Sequence, residues 1–132
     1  IPPHNLTELC DALLTILDNP DCNTVDLMQH VKGPDFPTGG QVYVGKGLYD
    51  AFDTGRGSVK IRAKIELEER KKGSESLVIK EIPYGLNKSV LVEKIAALIN
   101  ERKIDGISDL RDESNHTGIR VVIDLERGSI PE

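Results

Sequence analysis

The stretch from Leu77 to Ser114 constrains this chain more than any other. It begins with an apolar run, Leu77-Val78-Ile79, whose length and β-branched content suit a strand. Pro83 closes that strand, because proline has no N–H to donate to a ladder. Asn87 stands where an N-cap is needed, and Leu91, Ile95, Leu98 and Ile99 then recur at helical spacing. Gly106 is expected to end the helix, and an Asp/Ser/Arg-rich stretch leads to the next strand. A strand, a rigid corner, a helix and a polar connection make one unit for neighbouring strands to pack around.

The flanking sequence supplies those strands. From Ser58 to Glu68 the alternation predicts one strand, with Val59, Ile61, Ala63, Ile65 and Leu67 on one face and Lys60, Arg62, Lys64, Glu66 and Glu68 on the other. Gly73 marks a hairpin between Lys71 and Ser76, and Leu77 to Ile82 returns antiparallel. Past the helix, Ile107 to Leu110 adds a short strand, and Ile119, Val121, Ile123 and Leu125 alternate in another. Antiparallel strands with one main packing helix define an α+β class.

Residues 1–32 read as a short helical connector, and residues 33–132 as the α+β domain. Pro2 and Pro3 stiffen the entry, and Asn5 with Glu8 fits a capping-box-like helix start. Leu6, Leu9, Leu13, Ile16 and Leu17 line one face to Asp18, where Asn19-Pro20-Asp21 breaks the helix. Thr24 is the candidate cap of a second short helix through Met28 to His30. Gly33 to Gly40 is loop, Gln41 to Val44 a short strand and Leu48 to Phe52 a short helix. Gly45 and Gly47 imitate two places of a dinucleotide fingerprint, but Asp50 occupies the third, so that reading is rejected.

Composition narrows the function. With no Trp, the core rests on Ile, Val and Leu, and no apolar run is long enough to span a bilayer. The chain opens on Ile1 without Met and reads as an internal fragment of something larger. A net charge of −5 argues against a domain coated with nucleic acid but leaves room for a local basic stripe. Cys10 and Cys22 read as free thiols in a reducing cytoplasm, and His4, His30 and His116 as isolated surface or packing residues.

The basic stripe has candidates. Lys60, Arg62 and Lys64 fall on one strand face at intervals of about 6–7 Å, a row able to follow a phosphate backbone. Arg56 adds a charge between Gly55 and Gly57, where backbone can approach a ligand closely. The bland alternative is a solvated strand face whose charge reverses at Glu66. Asp105, Asp109, Asp112 and Glu113 form an acidic cluster of the kind a two-metal site draws on. Arg111 in their midst is expected to pair with them and make the loop structural.

Several blocks, in order, carry a resemblance: IPPHNLTEL from Ile1, GPDFPTGG from Gly33, TGRGSVKIRAK from Thr54, and EIPYGLNK with DGISDLRDES from Glu81 to Ser114. Together they resemble the breakage-reunion subunit of bacterial-type type IIA DNA topoisomerases, gyrase or topoisomerase IV, across nearly the whole chain. One departure is Gly85-Leu86, where that family usually has Gln-Val.

The resemblance implies a tower region that contacts and bends cleaved duplex DNA, preceded by a winged-helix domain. It makes Ile1 a wedge between base pairs and turns Arg56, Lys60, Arg62 and Lys64 into DNA contacts. The family's nucleophile is a tyrosine beside an arginine. Tyr43, Tyr49 and Tyr84 each lack that neighbour, so no catalytic residue and no metal site are expected here, and Tyr84 is expected to pack behind Pro83. Mg²⁺ and ATP would belong to a gyrase B-type partner subunit, in a heterotetramer built on a homodimer of the parent, cytoplasmic and associated with the nucleoid. Outside the family, the rival readings are a non-enzymatic protein-interaction module and a small enzyme using the carboxylate loop.

Overall fold

A computed structural model describes residues 1–71 and 73–132; Lys72, in the expected hairpin, lies outside them. The chain is mixed helix and antiparallel sheet and divides into two compact units, Ile1–Arg62 and Ala63–Glu132. Residues 33–62 therefore fold with the N-terminal helices.

In the first unit, α1 spans Leu6–Asp18, and the Asn5 side chain accepts the Glu8 N–H at 3.1 Å. α2 (Thr24–Met28) is capped by Asn23, one residue before the expected Thr24. Asn23 accepts from the Asp26 N–H at 3.0 Å, and Asp26 accepts from the Asn23 N–H at 2.9 Å. Thr24 instead donates its hydroxyl to Asp53 at 2.6 Å, fastening α2 to α3 (Lys46–Thr54). β1 (Gln41–Val42) pairs antiparallel with β2 (Ile61–Arg62). Leu48 of α3 is fully buried and anchors the unit, whereas the leucines of α1 stay largely exposed and only Ala12 is buried there.

The second unit is a four-stranded antiparallel sheet in the order β3-β4-β6-β5: β3 Lys64–Glu69, β4 Glu75–Glu81, β5 Ile107–Asp112 and β6 Val121–Leu125. Asn87 caps α4 (Lys88–Asn100), accepting from the Ser89 and Val90 N–H groups at 2.9 and 3.3 Å. Leu91, Val92 and Ile95 of α4 pack on the core of Ile79, Ile82, Val121 and Ile123. Central β6 is buried along its whole length, so the simple inward–outward alternation expected there does not hold. Tyr84 is 59% exposed.

The long strand expected from Ser58 to Glu68 is two strands. β2 and β3 lie in different sheets, with Ala63 between them. Ile65 and Leu67 lie opposite Ile79 and Leu77, on the core face as expected, but β3 is an edge strand and leaves them 51% and 50% exposed.

α4 also ends earlier than Gly106. Arg102 adopts a left-handed backbone at φ 56°, its N–H bonds the Ile99 carbonyl at 3.0 Å, and the Lys103 N–H bonds the Leu98 carbonyl at 3.0 Å. That is a Schellman closure with arginine where glycine is usual, which is why the sequence points to the wrong stop.

Candidate nucleic-acid interface

The cation candidates fall into two groups. Lys60 and Arg62 flank Ile61 at the end of the first unit, both exposed, with Arg62 opposite Gln41 and the Lys60 carbonyl accepting the Tyr43 N–H at 2.9 Å. Arg56 lies in the loop after α3, held by the Thr54 hydroxyl, which accepts the Arg56 N–H at 3.3 Å. Lys64 opens β3 in the second unit. Only Ala63 separates it from Arg62, so their Cα atoms stay within about 7 Å.

Gly57, beside Arg56, is explained by packing within the protein, and Gly55 by the left-handed C-cap of α3 at φ 78°, not by an approaching ligand. A Cβ on Gly57 would sit 2.1 Å from the Gly47 carbonyl oxygen, and one on Gly47 would sit 1.9 Å from the Ser58 carbonyl oxygen. The loop therefore runs flush against the first turn of α3, and both glycines are needed for the backbones to meet. That contact sets where Arg56 emerges.

Among the described residues, no carboxylate lies within ion-pair distance of Arg56, Lys60 or Arg62. Lys64 reaches Glu66 only at 4.0 Å. Lys46, which residue order did not single out, also has no carboxylate partner among those residues and opens α3 in a first turn without acidic residues. The signal for it is the Gly45-Lys46-Gly47 triplet, which on spacing alone is no more than a failed nucleotide fingerprint. Ile1 is fully exposed, beside an apolar groove of about 420 Å³ lined by Leu13, Ile16, Leu27 and Phe52. His4 stands over Phe52, ring centroids 5.8 Å apart.

The expected acidic cluster behaves differently. Its core is strand β5 and not a loop, and Arg111 pairs with its neighbours as expected, with Asp109 at 2.8 Å and Glu113 at 3.4 Å. It also bonds Asp124 of β6, which is 4% exposed. Asp124 receives the Ser76 hydroxyl at 2.7 Å and Arg70 at 2.7 Å. Arg120 bonds both oxygens of Glu68, at 3.0 and 2.7 Å, and Glu113 at 3.0 Å. Lys80 adds Glu68 at 3.5 Å and Glu66 at 3.9 Å. Asp112 turns away to Lys88, at 2.9 Å.

These bonds shift the acids. The Arg120 guanidinium holds Glu68 at about 2, and hydrogen bonds from Ser114 and then Lys88 hold Asp112 at about 2. Bonding to Arg120 also lowers Glu113. Burial pushes Asp124 up, but the bonds from Ser76 and Arg111 outweigh it and leave it below the usual carboxylate range. Asp109, Asp112, Glu113 and Asp124 are each turned onto a cation or hydroxyl, and no group of three or more metal-capable side chains occurs among the described residues. Cys10 and Cys22 are free thiols, and no described helix is long and apolar enough to cross a membrane.

An α+β chain with self-neutralised charges on one sheet and bare cations beside a glycine-packed loop has the makings of a polyanion-binding component. The comparisons with known proteins assign it more closely. The family model for the A subunits of DNA gyrase and topoisomerase IV matches residues 1–132, and the chain belongs to that family. It is 68% identical to the DNA gyrase A protein of Lawsonia intracellularis over 132 residues. It is 52% identical to that of Pseudomonas aeruginosa over 134 aligned positions and 50% identical to that of Ureaplasma parvum over 132. Each alignment covers 100% of this chain but only 14–16% of the relative.

Proposed function

We propose that this chain is the tower region of a gyrase A-type breakage-reunion subunit, and that its share of the work is to grip and bend the duplex being cleaved. The observation that carries the reading is the set of exposed, carboxylate-free cations Arg56, Lys60 and Arg62. Bare cations pair with backbone phosphates by releasing counterions. Lys64, only loosely held by Glu66, is a further contact. The parent enzyme passes one duplex through a transient break in another. Its partner is a gyrase B-type subunit that uses ATP and Mg²⁺, within a heterotetramer in the bacterial cytoplasm, associated with the nucleoid. That the relatives named are gyrase subunits favours gyrase over topoisomerase IV.

Ile1 is the proposed wedge. It is apolar and stiffened by Pro2-Pro3, as unstacking a base step requires. The chain itself supplies no nucleophile and is expected neither to nick nor to relax supercoiled DNA.

The test is a salt titration of DNA binding by the parent subunit. Replacing Arg56, Lys60 and Arg62 with Ala should weaken binding and reduce the slope of log affinity against log salt by about 0.9 for each phosphate no longer neutralised. An unchanged slope would show that these cations face only solvent. Ile1→Ala should leave that slope alone and reduce the bend angle measured by energy transfer between labelled duplex arms.

A further inference from the structure

β3 is an edge strand of the four-stranded sheet and pairs on one side only, with β4. Edge strands that face solvent usually defend their unpaired backbone with charges, a proline or a bulge in the strand. β3 has no proline and no bulge of its own, and its charges change sign from Lys64 to Glu66, so they can match across an edge as well as repel. Its irregularity lies across from it, in β4, where Lys80 is the extra residue between the Lys64↔Glu81 and Ile65↔Ile79 pairs. From Ile65 to Glu69 the strand runs in regular register, with Ile65 and Leu67 half-exposed on one face. On the other face are Lys64 and Glu66, whose side chains are 46% and 49% exposed.

We propose that β3 docks antiparallel against β3 of a second copy of this chain, about a two-fold axis at Ile65. An antiparallel ladder permits such an axis through any directly opposed residue pair. Centring it on Ile65 places Lys64 of each copy opposite Glu66 of the other and Ile65 opposite Ile65. Each of the other five centres on β3 sets like charges opposite: Lys64 would meet Lys64, Glu66 would meet Glu66, Glu66 would meet Glu68, Glu68 would meet Glu68, or Glu69 would meet Glu69. The present partners of Glu66, Lys64 at 4.0 Å and Lys80 at 3.9 Å, are held at the limit of an ion pair. Exchange across the axis therefore surrenders little. The proposal does not depend on the DNA reading, and its test contains no DNA.

The experiment measures the association state of this chain by sedimentation over a concentration series. The unaltered chain should show a concentration-dependent dimer. Lys64→Glu or Glu66→Lys alone sets like charges opposite twice by symmetry and should weaken association by at least about tenfold. The double exchange Lys64→Glu with Glu66→Lys should restore it. In a Cys10→Ser, Cys22→Ser background, Ile65→Cys should oxidise to a disulfide dimer. Glu69→Cys should not, since its copies would stand more than about 20 Å apart. A chain that stays monomeric throughout overturns the proposal. So does a dimer indifferent to the single reversals, or one cross-linked as well through Glu69→Cys as through Ile65→Cys.

Discussion

The two compact units differ in how far their charges are paired. In Ala63–Glu132, Lys64, Lys80, Arg70, Arg111 and Arg120 face Glu66, Glu68, Asp109, Glu113 and Asp124 in one linked set. Val78 and Val122 are buried on the same face, flanked in register by Lys80, Arg111 and Arg120. Aliphatic stems shield apolar surface while the charged heads bond one another. In Ile1–Arg62 the cations have no carboxylate within reach among the described residues, and apart from the bond from Thr24 to Asp53 the side-chain hydrogen bonds are caps, turns and bonds back to the preceding helical turn. A cation matched inside the protein has little left for a ligand, and one left bare keeps its field for a polyanion. The sheet unit uses much of its charge to hold its strands together. Among the described residues, Lys94, Arg102 and Arg127 on its surface also lack a carboxylate within ion-pair distance, and the first unit pairs none of its lysines or arginines with a carboxylate.

That contrast can be broken from either side. The largest effect should come from Gly47→Ala, whose added Cβ meets the Ser58 carbonyl oxygen at 1.9 Å. Two backbones cannot yield as a side-chain tip would, so the first unit should lose about 3 kcal/mol or more. The Arg56 loop should also be displaced. Chemical denaturation followed by hydrogen exchange, read unit by unit, would report the loss in Ile1–Arg62, and full retention of stability there would contradict the close packing.

Asp124→Ala tests the other side, because it leaves Arg70 and Arg111 without their buried acceptor. The expected loss is about 3 kcal/mol, at the low end for breaking a buried pair because both guanidiniums keep partial access to water. It should fall on the amides of β4 and β6. If exchange there is unchanged, the network is a surface ornament and the contrast between the units dissolves.

Acid should act more gently on the same network. The carboxyls of Glu68 and Asp112, held at about 2, and of Glu113 and Asp124, also lowered, are more acidic folded than unfolded. Their contribution is complete above the unfolded carboxylate range, near pH 4, and is lost as pH falls towards 2. A pH series of melting curves monitored in the sheet should decline through that window, with the decline reduced in Asp124→Ala. A flat profile would argue against the pairs.

The smallest effect concerns the end of α4. Arg102 holds a left-handed backbone that costs a non-glycine residue about 1 kcal/mol, so Arg102→Gly should stabilise the sheet unit by up to that amount. Equal or lower stability would mean that the arginine side chain offsets the strain through contacts of its own.

The α+β class, the antiparallel hairpin ahead of a proline corner, the Asn5 and Asn87 caps and the body of α4 were legible from residue order. Each depends on neighbours within a few positions, where spacing and side-chain chemistry suffice. The exposed cations were legible as well, but not their isolation from carboxylates. The split at Ala63 was hidden because Val59 to Leu67 alternates without a break, and alternation cannot say which sheet a residue joins. Nor could it say that Ile65 and Leu67 would lie at an edge, or that both faces of β6 would be covered. The ion network lay further still from view, since Glu68 and Arg120 are 52 residues apart and Ser76 and Asp124 are 48. The sequence by itself determined which segments are helix or strand and which side chains are charged. Which charges cancel was decided only when the tertiary structure set strand order, because Coulomb attraction acts through distance in space and not through position along the chain.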